Sequence, residues 1–455
     1  MKALETKFEN RSDSGNAARL VKKFEGKIRF CPDLNRWLIW SADRWQIDET
    51  GEIYQYAAAA VQDIYSEAGQ LQDKTERRDH ATFALRSESE HSLKAMVSLA
   101  KYEYTIPIRR SALDGHPFKL NILNGILDLE TGELFDHAPE FYFTKIIPFA
   151  YDPAETAPAW EKFLDEITSN DNALKNFLQQ ITGYCLTASA REQCFFIFWG
   201  DGRNGKSTFI KVLLELLGPW AAQTPAETFL LKKVGSGFSD LARLADKRLV
   251  CAIETEDGGK LAEGLVKSLS GNDRIATRHH YQEFFEYEPG FKVILTTNHK
   301  PRIRGNDLAI WRRIRLVPFT WTIPEEKVDP DIFEKLKTEM PGILAWAVKG
   351  GFEWQNKGRL ESPEIVIEAV KGYKTEQDQV RRFIDDCCEH GADDFQESAK
   401  TLYDSYKAWA TQNGEHYFSA NRFGRRLQDL GFEKTHTMIG NAYKKIQLTG
   451  KVSNE

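Results

Sequence analysis

The chain is predicted to be a multidomain α/β protein, with a P-loop core built on a parallel sheet covered by helices, an α+β N-terminal domain and a C-terminal winged-helix-like domain. Three observations predict this. Four short apolar runs, FFIFW at 195, RLVCAI at 248, KVILTT at 292 and RIRLVPF at 313, are rich in β-branched and aromatic residues. They do not alternate with polar residues, as befits strands buried on both faces. The first run passes directly into a glycine-rich turn, GDGRNGKST (200–208), which leads into helical spacing. Beyond about Ser362 the order becomes helix, helix, hairpin, which is that of a winged helix.

The elements follow in order. RWLIWSADRWQIDETGEIY (36–54) alternates Trp with polar residues and predicts a hairpin turning near Ser41–Asp43; YQYAAAAVQDIYSEAGQ predicts one helix and the stretch from Asp73 to Lys101 another. ILDLETGELF (126–135) predicts a hairpin around Thr131 and Gly132, and the Pro- and Ala-rich AYDPAETAPAW (150–160) predicts a linker. From Trp160 to Ala188 the spacing of Phe163, Leu164, Ile167, Leu174, Phe177, Leu178 and Ile181 is helical. DSYKAWATQ and SANRFGRRLQDLGF predict two further helices, the second capped by Ser419, before a hairpin over 433–448 turning at Gly440 and Asn441. The expected domains are 1–150, a helical module 151–193, the core 194–330, a helical connection 331–370 and the winged-helix-like domain 371–455.

A chain of 455 residues, 41% apolar and 28% charged, has room for several cores and suits a globular protein. No apolar run approaches the roughly 18 residues that cross a bilayer, and the N-terminus lacks the apolar centre of a signal peptide. The expectation is a cytoplasmic protein with no membrane partner. The six cysteines contain no CxxC pair, which favours buried reduced thiols over a zinc ribbon or disulfides. A net charge of -6 excludes indiscriminate polyanion binding, so any DNA contact needs positive charge concentrated on one loop, pore or face.

GDGRNGKS fits G-x-x-x-x-G-K-[ST] with Gly200, Gly205, Lys206 and Ser207 in the fixed places. Glycines let backbone N–H groups curl round phosphates, Lys206 reaches the β and γ oxygens, and Ser207 offers a hydroxyl to Mg²⁺. The whole loop, Gly200, Asp201, Gly202, Arg203, Asn204, Gly205, Lys206, Ser207 and Thr208, is the candidate cradle for ATP or another nucleoside triphosphate. Glu254 ends the next apolar strand, where a carboxylate reaches Mg²⁺ through water, and Glu256 is placed to orient or deprotonate the attacking water. Asn298 ends a third strand and is the candidate water holder or γ-phosphate sensor. Arg312, Arg313 and Arg315 stand at the mouth of a fourth. One of them offered to a neighbouring subunit's γ-phosphate would stabilise transition-state charge.

The blocks FWGDGRNGKSTF, CAIETEDGGKL, LSGNDRIATRHHY, ILTTNHKPRIRG and IWRRIRLVPF, in that order, resemble the superfamily 3 helicases, and within them the poxvirus-type and phage/plasmid primase-helicases. The likeness covers about Trp160 to Thr320, and LNILNGILDLETGEL resembles the domain preceding the helicase in that family. The resemblance implies an AAA+-like ATPase that assembles as a ring, usually a hexamer, and translocates on DNA. It makes Lys206 and Ser207 the Walker A pair, Glu254 the Walker B acid, Asn298 the sensor, and Arg313 or Arg312 the arginine finger. It also implies a pore hairpin in DRIATRHHYQEF, with Arg278, His279, His280 and Tyr281 near its tip, suited to phosphate contact and base stacking. Thr255 separates Glu254 from Glu256 where many relatives have adjacent acids, leaving either as the base. The primase-polymerase domain of larger relatives is not expected here, so primer synthesis would fall to another chain.

Three functions follow as expectations. The first is an ATP-dependent 3′-to-5′ replicative DNA helicase of a phage, plasmid or integrated element, working in a bacterial cytosol on single strands in the ring pore and duplex at a fork or origin. The second is an ATP-switched initiator or loader, with Arg422, Arg425 and Arg426 on a helix suited to the major groove and Lys444 and Lys445 on the wing. The third is a small-molecule kinase, which leaves both terminal domains without a task.

Overall fold

The computed structural model describes residues 9–231, 241–253, 259–271, 273–278, 284–303, 308–438 and 440–449. The N-terminal region opens with helix Asp13–Lys23, where Ser12 Oγ accepts the Gly15 N–H. The meander β1 (Ile28–Cys31), β2 (Arg36–Trp40), β3 (Trp45–Ile47) follows, turning between Trp40 and Trp45 as expected. After helix Ile53–Gln70 the stretch expected to hold one helix holds two, Lys74–Ser87 and Glu90–Ala100. Ser89 accepts the Ser92 N–H and so starts a new helix where the first one ends. Strands β4 (Lys119–Ile122), β5 (Gly125–Asp128) and β6 (Leu134–Phe135) contain the expected hairpin, its turn braced by Asp128 Oδ1 accepting from the N–H groups of Glu130 and Thr131.

Helices Pro158–Ile167 and Asn172–Leu186 lead into the central sheet. Its strands are β7 (Phe195–Trp199), β8 (Ala221–Pro225), β9 (Leu249–Ile253), β12 (Lys292–Thr297) and β13 (Ile314–Pro318), and a separate antiparallel hairpin, β10 (Ile275–Thr277) and β11 (Phe285–Tyr287), lies between β9 and β12 in sequence. The sheet is wholly parallel in the order β13-β7-β12-β9-β8. All four predicted apolar strands are present. β8 was not predicted: its sequence AAQTP is polar and ends in proline, which only an edge strand tolerates.

Helix Met340–Lys357 crosses helix Asn172–Leu186 at backbone contact. A Cβ on Gly183 would sit 2.0 Å from the Gly351 nitrogen, and one on Gly350 would sit 2.2 Å from the Gln179 oxygen. One apolar core joins Leu120 and Ile122 of β4, this helix pair, one face of the sheet, and Val366 of helix Glu364–Glu376, running across positions 150 and 193. Trp160, at the end of the expected linker, is fully buried and stacks on Phe163 and Phe209 at 5.5 and 5.4 Å between centroids. The opposite sheet face packs Phe195, Ile197, Val250 and Leu295 against Trp311 and Tyr373.

Two buried basic side chains fasten the N-terminal half to this sheet. The Arg248 guanidinium, just before β9, donates to the carbonyls of Leu186, His116 (3.0 Å) and Lys119 (2.6 Å) and lies 4.2 Å over Trp220. Burial presses its pKa down to about 9, so it is charged at neutral pH. Lys292, the first residue of β12, donates to the Thr187 and Gly290 carbonyls, and burial lowers its pKa to about 7. Arg248→Ala leaves three carbonyls without their donor and is expected to cost about 3–5 kcal/mol, read as a lower urea midpoint and faster proteolysis around residue 190.

The C-terminal domain runs helix Gln379–Cys387, β14 (Cys388–His390), β15 (Gln396–Ser398), helices Ala399–Gln412 and Ala420–Asp429, β16 (Lys434–Thr437), β17 (Gly440–Lys444) and β18 (Ile446–Leu448). With the sheet β15-β17-β16 this is the winged-helix arrangement, and Ser419 caps the second of the two predicted helices. The wing turns before Gly440. Gly440 and Asn441 themselves pair with Thr437 and His436 inside the ladder, two residues from the expected turn.

Candidate nucleotide site and DNA-facing elements

The glycine-rich loop leaves β7 at the C-terminal edge of the sheet, where ligands of open parallel sheets bind. Its glycines are dictated by sterics. Gly200 has φ +156°, and a Cβ there would lie 2.1 Å from the Phe319 oxygen; Gly205 has φ +80°, and a Cβ would lie 2.3 Å from Ile167 Cγ2. Asn204 is buried and donates through Nδ2 to the carbonyls of Asp201 and Phe319, binding the loop to the end of β13. Arg203 adopts φ +59° while its carbonyl accepts the Ile323 N–H at 2.7 Å. Helix Lys206–Leu217 has glycine at its N-cap, and its first N–H, that of Lys206, donates to Asn204 Oδ1 of the loop at 3.4 Å, so the helix start faces the loop. Ser207 is exposed in its first turn.

The Lys206 ammonium is buried within the loop, donating to the carbonyls of Gly200 and Asp201 (3.2 Å), to Asn204 Oδ1 (3.1 Å) and to Asn298 Oδ1 (3.4 Å). Burial lowers its pKa to about 8, with the Asp201 carboxylate opposing the shift. A cation held by neutral oxygens, a helix start turned toward the loop and a backbone closed to a Cβ at Gly200 and Gly205 together fit a bound polyphosphate.

The Lys206–Asn298 contact follows from strand order. β12 lies directly beside β7, with Thr297 opposite Trp199, so the residue after β12 reaches the loop after β7. Trp199 Nε1 donates to the Asn298 carbonyl at 3.1 Å, and Lys300 lies 4.3 Å over the Trp199 ring while pairing with Glu376. Glu254 and Glu256 lie outside the described residues. β9, which precedes them, ends at the same edge of the sheet, with Ile253 opposite Thr296.

The arginines lie at the other edge, since Arg312 and Arg313 precede β13 and the Arg313 carbonyl accepts the N–H of Phe195, the first residue of β7. A five-residue strand, about 17 Å, separates them from the loop of their own protomer. Arg313 is buried, donating through Nε to Ser270 Oγ (3.1 Å) and through Nη1 to the Ala309 carbonyl (2.7 Å). Arg312 is exposed, and Arg315 donates to the Arg312 carbonyl at 2.7 Å. The antiparallel hairpin expected from DRIATRHHYQEF is present as β10 and β11, with Arg278 over the Phe284 ring at 4.8 Å. His279, His280 and Tyr281 lie outside the described residues.

Comparison with known families matches three parts of the chain. The D5 N-terminal-like family model matches residues 17–169, a family of unknown function (DUF5906) matches 198–313, and the poxvirus D5 protein-like family matches 375–452. Both ends of the chain are thus D5-type. Among relatives of this D5-type chain are "Putative helicase L207/L206" of Acanthamoeba polyphaga mimivirus, 26% identical over 60% of this chain and 31% of the relative, and "Primase D5" of Fowlpox virus, 26% identical over 55% and 32%. The chain thus spans about a third of the length of these curated relatives. The apo A-form structure of the NrS-1 C-terminal region shares its fold with a TM-score of 0.53 at 11% identity, covering 96% of this chain and 99% of that one.

In the part of the D5-type chain matched by the poxvirus family, the predicted basic residues divide. Arg422 and Arg425 are exposed on helix Ala420–Asp429, with Arg422 3.9 Å over Phe418. Arg426 is turned inward to Asp378 (Nε at 3.0 Å), Lys444 pairs with Glu433 (3.3 Å) and Lys445 with Asp393 (2.7 Å). The sequence reading missed Trp199 and Lys300, which frame Asn298. Trp199 had a signal as the last residue of the strand before the loop, whereas Lys300 had none, because its partner is 76 residues away. No helix among the described residues is long and apolar enough to cross a membrane.

Proposed function

We propose that this chain is the motor of an ATP-dependent DNA helicase acting in replication of a virus, phage, plasmid or integrated element. It works as a ring, a hexamer in the family's usual form, and moves 3′ to 5′ in its host's cytosol. The observation that carries this reading is the separate β10–β11 hairpin, carrying Arg278 and Phe284 at its ends, which lies in sequence between the neighbouring sheet strands β9 and β12. A small-molecule kinase has no use for such a hairpin.

In the proposed cycle the helix N-terminus and Lys206 hold the triphosphate, Asn298 positions the attacking water, and Glu254 or Glu256 takes its proton. Ser207 and Glu254 would hold Mg²⁺, which supplies charge neutralisation at the phosphates. Arg312 of one protomer completes the site of the next, since it lies a strand's length from its own loop and is exposed. Exposed Arg422 and Arg425 on the winged helix support a second reading, an ATP-switched initiator or loader. Measuring ATPase rate and strand displacement with and without single-stranded DNA separates the two. DNA-stimulated hydrolysis with ATP-dependent unwinding is expected; hydrolysis without any unwinding would favour the initiator, and a rate indifferent to DNA would overturn both.

A further inference from the structure

The segment Lys101–Arg110 joins the N-terminal helices to the rest of the chain and runs beside β1. Phe30 donates its N–H to the Ile106 carbonyl (3.0 Å) and accepts the Ile108 N–H (2.9 Å). That pairing buries Ile106 and Ile108 and leaves the residues between and around them outward. Tyr102 and Tyr104 are 82% and 98% exposed, and neither ring nor hydroxyl contacts a polar or aromatic side chain among the described residues. Aromatic rings normally recover their hydration cost by burial, so two fully presented rings on a fixed backbone stand out.

Cations accompany them. Lys101 lies 4.6 Å over Phe30, Arg109 is exposed and 3.6 Å from Asp33, and the Arg110 guanidinium lies 4.6 Å over Phe285 of β11. Arg110 also donates its backbone N–H to Asp33 Oδ2 at 2.8 Å. The segment is therefore joined at its C-terminal end to the hairpin that carries Phe284 and Arg278. Five residues lie between Tyr104 and Arg110, so the two are at most about 20 Å apart along the extended chain, the reach of a few nucleotides. Lys101, Arg109 and Arg110 outnumber the carboxylates of Glu103 and Asp33.

We propose that Tyr102 and Tyr104, with Arg109 and Arg110, form a second single-stranded DNA contact in the N-terminal domain that delivers the strand to the β10–β11 hairpin. It rests on the helicase reading above. Unpaired bases stack on the tyrosine rings while phosphates meet the arginines, the pairing of contacts by which single strands are gripped without sequence preference. A duplex, whose bases are already stacked, gains nothing from the rings.

The test uses the full chain and a fluorescein-labelled oligothymidylate in fluorescence anisotropy. Tyr102→Ala with Tyr104→Ala is expected to weaken binding about tenfold per ring, while Tyr102→Phe with Tyr104→Phe stays within about twofold, because stacking needs the ring and not the hydroxyl. In parallel, photocrosslinking of an iododeoxyuridine oligonucleotide to the unaltered chain is expected to label residues 101–110, a readout independent of how the variants fold. Unchanged affinity in the alanine variant, or crosslinks confined to the hairpin, would overturn this inference and leave the helicase reading standing. No binding of the oligonucleotide to the unaltered chain would overturn both.

Discussion

Lys206→Ala is expected to lower kcat for ATP hydrolysis by on the order of 10²–10³ while leaving the fold intact. The catalytic loss follows from position: the ammonium is the charge that the loop turns toward its own carbonyls and the Asn298 side chain, and among the described residues no other cation bonds to that cluster. The intact fold follows from burial. Its pKa, near 8, lies below the value of a free lysine, so the unfolded chain binds the proton more tightly than the folded one between pH 8 and 10.5. The charged side chain therefore costs stability at every pH below about 8, and that cost fades as pH rises toward 10.5. At pH 7 the thermal midpoint of the variant should stay within a few degrees of the parent's, because relief of the desolvation cost offsets the donor lost to the Gly200 and Asp201 carbonyls and to Asn204 and Asn298. A variant that hydrolyses ATP normally would remove the loop from the mechanism; one that loses activity only because it melts earlier would leave the role of the ammonium unproven.

The two arginines before β13 should part company. Arg312→Ala is expected to reduce hydrolysis by on the order of 10³–10⁵ in the assembled particle, the range for an arginine supplied in trans. Its melting temperature should not change, since the side chain is exposed. Mixing Arg312→Ala protomers with Lys206→Ala protomers should restore part of the rate, because a protomer with an intact loop then meets a neighbour with an intact arginine. Arg313→Ala should instead lower stability by about 2–3 kcal/mol, having taken a buried charged donor from Ser270 and the Ala309 carbonyl. The pair is read by steady-state ATPase assays beside denaturant unfolding. Full activity in Arg312→Ala, with a folded but inactive Arg313→Ala, would reverse the assignment, and failure of the mixture to recover any rate would count against completion between subunits.

How much of this was legible beforehand depended on the distance over which each feature is determined. The phosphate loop was readable residue by residue, because φ +80° at Gly205 and the absence of room at Gly200 are conditions that only glycine meets. The four central strands were readable because burial on both faces leaves each a run of mostly apolar residues without alternation, whereas β8 escaped because an edge strand need satisfy no such pattern. The two helices between Asp73 and Lys101 merged in the reading because the break at Glu88 is carried by one serine cap rather than by glycine or proline. On the winged helix, periodicity put Arg422, Arg425 and Arg426 on one helix but was silent about Asp378, 48 residues earlier, which draws Arg426 inward.

By itself the sequence determined the order of the parts: a glycine-rich loop, a strand-ending asparagine and a winged helix, each imposed by sterics and hydrophobic period within a few residues, while the hairpin between β9 and β12 was expected only from the family resemblance. The tertiary structure alone decided which side chains meet. Placing β12 between β7 and β9 brings Asn298 to Lys206, and setting the start of β13 at the far edge buries Arg313 and leaves Arg312 exposed. Such partners lie tens of residues apart in the chain, so only the packing of the sheet and its helices brings them together.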